Sequence, residues 1–273
     1  MLSKSSQKYF SFINKLKYFI YKLNINERRY FDLILKGIIP RPHYAFGVFF
    51  SSSIASQLGY KKISLFEFGC WEGEGLLDLE HYSTEIEKLF NIEIEIYGFE
   101  GGTGMPPPKD YRDRVYQYSE GEMKTSKNSS LNSLKKSKLI YGNFKETVPD
   151  FIKNNKFAPI GALFNDADYF SSTKDSFKIF DHKNKLPKVF LYFDDLNFSS
   201  NFTGELGAIN DFNQSNKSKI ETIPELSETM SLYWKKWNFL AKRFYLLHNF
   251  EHPKYNERYI NPFYNNLDKN YQK

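Results

Sequence analysis

Cysteine is all but missing: Cys70 is the single one among 273 residues. A lone thiol cannot close a disulfide within the chain or build a cysteine-based zinc centre. It fits a reducing compartment, so a cytoplasmic location is expected. Long apolar runs are missing too, and no stretch suffices to span a bilayer. The N-terminal apolar stretch is interrupted by Lys15, Lys17 and Lys22 and has no small-residue cleavage site after it, so it does not read as a signal peptide. Histidines are few and scattered (His43, His81, His182, His248 and His252), with no pair at metal-binding spacing. Each reads as a surface or core residue; His43 is the one whose segment could reach a ligand mouth. No internal repeat is present.

Aromatic residues are plentiful, with 27 Phe and 20 Tyr. Lys, Asn, Ile, Phe and Tyr are abundant together, as in an AT-rich coding sequence. The net charge of +6 therefore reads as lysine bias, met by solvated side chains, and no nucleic-acid partner is expected. Residues 1–23 carry five lysines and no acid, and Phe10, Ile13, Leu16, Phe19 or Ile20, and Leu23 recur at helical spacing. This basic amphipathic helix fits packing on the domain or on a second subunit, and it also fits a peripheral contact with a membrane surface.

Downstream, strand and helix signals alternate. Helices are expected at 26–37, 41–58, 73–90, 144–154, 170–180 and 203–213, with a polar helix at 121–137. Strands are expected at 63–68, 92–99, 138–141, 159–164 and 189–193, and aromatic strands at 231–237 and 242–248. This alternation predicts an α/β fold, a mostly parallel Rossmann-like sheet with helices on both faces. The expected organisation is an N-terminal helical extension at 1–58, an α/β domain at 59–250 and a C-terminal tail at 251–273, frayed over its last dozen residues. A long loop rich in Gly and Pro follows the second strand, from Gly101 to Pro108; such loops are usually functional or mobile.

The chemistry-bearing residues gather at expected strand ends. Phe66-Glu67-Phe68-Gly69-Cys70-Trp71-Glu72-Gly73-Glu74-Gly75 is a strand, a glycine turn and a helix start. Gly69, Gly73 and Gly75 let the backbone turn tightly and approach a ligand, and the helix N-terminus directs its N–H groups at it. The spacing, Gly-x-x-x-Gly-x-Gly, departs from the dinucleotide fingerprint. Glu67 suits an amino or sulfonium group better than a pyrophosphate. Glu100 ends the second strand, where a carboxylate can accept both hydrogen bonds of a ribose diol. Asp166, Asp168, Asp194 and Asp195 follow later apolar runs. As hard oxygen donors they suit Mg²⁺ or another divalent cation, although Asp at a helix start is also a common cap.

In order along the chain, these segments resemble the macrocin O-methyltransferase-like group of class I methyltransferases, which use S-adenosylmethionine. The resemblance runs in pieces from about Arg41 to Phe212. It includes Arg41-Pro42-His43-Tyr44-Ala45, Glu67-x-Gly69, Tyr97-Gly98-Phe99-Glu100 with Gly104-Met105-Pro106, and Gly142-Asn143-Phe144-x-x-Thr147-Val148-Pro149. It continues through Asp166-x-Asp168-Tyr169-x-Ser171-Ser172-Thr173, Asp194-Asp195 and Gly204-Glu205-x-x-Ala208. It implies a seven-stranded sheet, S-adenosylmethionine, a divalent metal that is usually Mg²⁺, and methylation of hydroxyls on sugars. Carried over by position, Glu67, Gly69, Gly73, Glu100 and Asn143 would hold the cofactor. Asp166, Asp194 and Asp195 would bind metal, Asp166 would also act as base, and Asp168 would support the shell. Two other readings stay open: a methyltransferase-fold binding protein without turnover, with Trp71 and Glu72 filling the pocket, and an NAD-dependent oxidoreductase, against which the glycine spacing argues. A small-molecule, sugar-type acceptor is the expected partner, and a homo-oligomer is compatible with the N-terminal helix.

Overall fold

A computed structural model describes residues 2–9, 12–22, 25–234 and 238–259. The N-terminal helices are α1 (Lys4–Tyr9), α2 (Phe12–Lys22), α3 (Glu27–Leu35) and α4 (Pro42–Gln57). Asn26 starts α3 by accepting a hydrogen bond from the Arg29 amide at 3.0 Å. Pro42 sits in the first turn of α4, where its missing N–H costs nothing.

The rest alternates as expected: β1 (Lys62–Phe68), α5 (Glu74–Phe90), β2 (Glu93–Glu100), β3 (Lys138–Tyr141), α6 (Phe144–Asn154), β4 (Ile160–Asn165), α7 (Phe170–Phe177), β5 (Lys185–Phe193) and α8 (Gly204–Ser215). β6 (Lys219–Thr222), α9 (Pro224–Tyr233), α10 (Asn238–Ala241) and β7 (Phe244–His248) follow. The seven strands form one sheet in the order β3-β2-β1-β4-β5-β7-β6. β1 pairs in parallel with β2 and β4, β2 with β3, and β4 with β5. β7 runs antiparallel between β5 and β6. This is the Rossmann-like α/β architecture expected, its first five strands in the doubly wound order 3-2-1-4-5.

The two faces of the sheet follow the period of two. On β1, Phe66 and Phe68 face α6, meeting Phe151 at 6.0 Å and Phe144 at 5.3 Å between ring centroids. Glu67 points to the opposite face, where Tyr44 of α4 meets it. On β5, Phe190 and Tyr192 pack toward α4, and Phe193 toward Phe177 of α7. α4 is buried without interruption from Pro42 to Ala55. It lies between the sheet and α3, which explains why it shows no polar stripe. At Gly47 it comes so close that an added Cβ would lie 2.6 Å from the Phe190 ring.

Two expectations are corrected. Residues 121–137 form turns and one short 3₁₀ segment, Ser130–Ser133, and no α-helix. The segment has no apolar stripe to bury, and its Ser and Asn side chains bond backbone or distant groups, as Asn132 does with the Lys127 carbonyl and Ser126 with Glu72. The strand expected at 231–237 is instead the end of α9 as far as Tyr233, started by Pro224 at its first turn. Residues 235–237 lie outside the described residues. The sheet edge is supplied by β6, which carried no clear sequence signal. Of the expected tail at 251–273, residues 260–273 also lie outside them. Among the described residues, no helix is long and apolar enough to cross a membrane.

Candidate cofactor and metal site

The parallel strands deliver their carboxyl ends to one edge of the sheet, where a cavity of about 290 Å³ opens. Gly69 and Trp71 line it from the turn after β1, Glu100 from the end of β2, Asn143 from the turn after β3, and Asp166 and Asp168 from the turn after β4. Four successive strand ends therefore contribute to one space, the place where open α/β sheets bind ligands.

The first turn is built for close approach. Gly69 has φ +82°, and a Cβ there would lie 1.9 Å from the Asp166 carbonyl oxygen. Its amide donates to the Phe99 carbonyl at 3.0 Å. Trp71 follows in the left-handed region, at φ 40°, which is costly for a bulky side chain. Its amide is held by Glu100 Oε2 at 2.7 Å, while Glu100 Oε1 accepts from the Gly102 amide at 2.8 Å. One carboxylate thus fastens the turns after β1 and β2 to each other. A carboxylate offers about four lone-pair directions, so Glu100 keeps acceptor capacity toward the cavity. Asn143 caps α6, its side chain accepting from the Lys145 amide at 2.9 Å.

Glu67 and Gly73, also expected to hold a cofactor, stand apart from the cavity lining. Gly73 starts α5 at φ +79°, and a Cβ there would meet Leu131 at 2.5 Å. Its missing side chain makes room for the 3₁₀ segment Ser130–Ser133. Glu67 is buried beneath the turn. Oε1 accepts from Tyr44 Oη at 2.6 Å, and Oε2 is buried with no hydrogen-bond partner. Burial pushes the Glu67 carboxyl up to about 7, against the opposing pull of the Tyr44 hydrogen bond and of Arg41. His43 is buried against the Tyr192 ring at 4.7 Å and does not reach the cavity; burial pushes its pKa well down. The Cys70 thiol is buried, with its pKa pushed well up by burial.

The acidic strand ends sort into two groups. Asp166, Asp168 and Asp195 each offer a carboxylate oxygen within 4.8 Å of the others. Burial and then the neighbouring Asp194, Asp168 and Asp195 push Asp166 well above the usual carboxylate range. Burial, then Asp168, pushes Asp195 up to about 8. Asp168 adopts φ 56°, a conformation Asp tolerates better than most residues. Asp194, which the sequence placed among the metal ligands, is the charged neighbour that acts most strongly on Asp166 but lies outside the three-carboxylate group. Its Oδ1 accepts from Tyr192 Oη at 2.5 Å and from Arg243 Nη1 at 2.8 Å. Asp168, expected behind the ligands, stands in the three-carboxylate group.

Several residues that sequence reasoning passed over complete the site. Arg114 is fully buried. It donates to the Asp168 carbonyl at 2.8 Å and lies 3.6 Å from Asp168 Oδ1, placing a positive charge behind the acidic group. Asp113, buried beside it, accepts from the Ser171 amide at 2.7 Å and hydroxyl at 2.9 Å, so the connection between β2 and β3 caps α7. Glu205, fully buried in the first turn of α8, holds the Asp195 amide and the Asn165 side chain, each at 2.8 Å. An acid at a helix start was visible in the sequence for Glu205. Nothing local marked Asp113 or Arg114 as part of the site, because the partners that tie them to it lie more than fifty residues away in the chain.

No protein-family model matches the chain, and no curated protein matches it either. Similar solved structures do exist. Calicheamicin methyltransferase CalS11 is 19% identical with a TM-score of 0.45, over 72% of this chain and 87% of that one. The O-methyltransferase NovP is 15% identical with a TM-score of 0.47, over 68% and 77%. An O-methyltransferase from Bacillus cereus, in complex with SAH, is 12% identical with a TM-score of 0.37, over 79% and 91%. Each is a likeness in the path of the chain.

Proposed function

We propose that this chain is an S-adenosylmethionine-dependent O-methyltransferase, assisted by a divalent cation and acting on a hydroxyl of a sugar-type small molecule. The observation that carries the reading is the single cavity shared by Gly69, Glu100, Asn143 and Asp166 at the carboxyl edge of the sheet. The motif order that resembles the macrocin O-methyltransferase-like group supplies the choice of cofactor and acceptor. Glu100 would accept from the ribose diol, and the Cβ-free approach at Gly69 would admit the cofactor against the backbone.

The donor set fits a divalent cation. Three hard carboxylate oxygens converge, and their mutual repulsion is a charge excess that a cation offsets. Asp166, Asp168 and Asp195 would hold it; bound there, it would lower the pKa of an acceptor hydroxyl. S-adenosylmethionine, bound in the cavity, would supply the methyl group to the acceptor hydroxyl, and Asp166 would take the hydroxyl proton. Arg114 and Glu205 act on positioning, the first holding the Asp168 backbone and the second the Asp195 amide.

Calorimetric titration with S-adenosylhomocysteine and separately with NAD, each with and without Mg²⁺, tests the reading. Micromolar binding of the first alone is expected, weakened roughly tenfold or more in Glu100→Gln, the size of one charge-assisted hydrogen bond. Binding of NAD alone would overturn it in favour of an oxidoreductase. Binding of neither would favour a non-catalytic protein, with Trp71 at the cavity as the first residue to truncate.

A further inference from the structure

The apolar residues of α2 face away from the protein. Phe12 (81% exposed), Ile13 (63%), Leu16 (51%), Phe19 (61%) and Ile20 (55%) are all open to solvent. At about 100° per residue they share one stripe roughly 120° wide. Tyr18 lies almost opposite the middle of that stripe. It is buried and donates to Glu85 Oε2 at 2.5 Å, with His81 Nε2 at 3.3 Å, both on α5. The preceding α1 is held to the same helix, where Ser3 and Ser6 donate to the buried Asp78 carboxylate at 3.0 and 2.5 Å. The segment is thus fixed to the domain by its polar side and presents its apolar side outward, the reverse of an ordinary surface helix. A contiguous exposed patch of this kind marks an interaction surface.

The charges around the stripe select the partner. Lys15 and Lys17, both exposed, flank its two edges at about 40° beyond the outermost apolar residues. Residues 1–23 hold five lysines and no acid. A second copy of this helix laid on the stripe would bring lysine rim against lysine rim with no carboxylate from either segment to pair them. A bilayer surface bearing anionic headgroups satisfies both features at once, taking the Phe and Leu side chains into the acyl boundary and the ammonium groups at the phosphates. We propose that α2 docks the protein on an anionic membrane surface, with the stripe from Phe12 to Ile20 inserted at the headgroup boundary. This inference is independent of the reaction catalysed.

Co-sedimentation of the full chain with vesicles of phosphatidylcholine, with and without phosphatidylglycerol, tests it. The protein should pellet with the anionic vesicles, and high salt should release it in part. Lys15→Gln with Lys17→Gln should weaken binding roughly thirtyfold, from the contribution of each lysine near such a surface. Phe12→Ser, Leu16→Ser and Phe19→Ser together should weaken it by about a hundredfold or more. All these side chains are exposed, so the variants should keep the parent melting temperature. The proposal is overturned if the protein stays in the supernatant with both vesicles or pellets equally with both. It is also overturned if sedimentation equilibrium shows a dimer that the triple serine variant disperses while vesicles bind neither form.

Discussion

Replacing Glu67 by Gln should make the protein more stable, and increasingly so as the pH rises. In the folded chain the carboxyl is buried, one oxygen held by Tyr44 and the other unpartnered, and its pKa rises from 4.5 to about 7. Between these two values the folded state binds the proton more tightly than the unfolded state. Stability from this group is therefore complete below the unfolded pKa and is lost as pH climbs through the folded one. Each pKa unit corresponds to about 1.4 kcal/mol, so the penalty grows by roughly 2–3 kcal/mol between pH 5 and pH 8. Gln keeps an acceptor for the Tyr44 hydroxyl and carries no charge. The stability gap between Glu67→Gln and the parent should therefore widen by that amount over the interval, about 5–10 °C in melting temperature for a domain of this size. Urea unfolding of both proteins at several pH values, followed by tryptophan fluorescence, measures it, and pH effects from distant groups cancel in the difference. A gap that stays constant from pH 5 to pH 8, or that widens toward acid, would refute the argument that an uncompensated carboxylate sits beneath the turn.

Two further substitutions separate roles that proximity in sequence confuses. Asp194→Asn should cost roughly 1–3 kcal/mol by weakening the charged hydrogen bond to Arg243, yet leave intact the rise in melting temperature produced by Mg²⁺; Asp166→Asn and Asp195→Asn should abolish that rise. A thermal shift series with and without Mg²⁺ decides, and loss of the Mg²⁺ response in the Asp194 variant would return it to the metal site. Gly69→Ala and Gly59→Ala both place a side chain at positive φ, but only the first meets a neighbour, 1.9 Å from the Asp166 carbonyl, whereas the second meets nothing within 4 Å. Denaturant unfolding should show about 1 kcal/mol lost for Gly59→Ala and at least twice that for Gly69→Ala; equal losses would mean that backbone conformation alone sets the cost.

The parallel core was readable because its signals are local. β1, β2 and β4 are short apolar runs closed by Gly or acid, and each formed within a residue or two of its expected bounds. β6 was missed because Lys219–Thr222 buries only Ile220 among its four residues and gives no alternation to read. The strand ends bearing Gly69, Glu100, Asn143 and Asp166 were legible for the same reason as the strands, since parallel order sends them all to one edge. Which member of Asp194-Asp195 joins Asp166 and Asp168 in the three-carboxylate group was not legible. It depends on Arg243, carried by the turn before β7, taking one of the adjacent carboxylates. Nor could the sequence show that Glu67 lies beneath the turn, because that requires Tyr44 and Gly75 to close over it.

The position of α4 bears on how this chain comes to be folded. It precedes every strand in the sequence, yet Phe46 packs on Phe190 of β5 and Phe244 of β7. During synthesis from the N-terminus, this helix is made before any strand, and part of its resting place nearly last. Its closure over so long an intervening chain gives the fold a high contact order and slows assembly. Until β5 and β7 arrive, Phe46 lacks the rings that it packs against on the sheet. The nascent chain is most exposed to aggregation in that interval, and a chaperone would have the most to shield there.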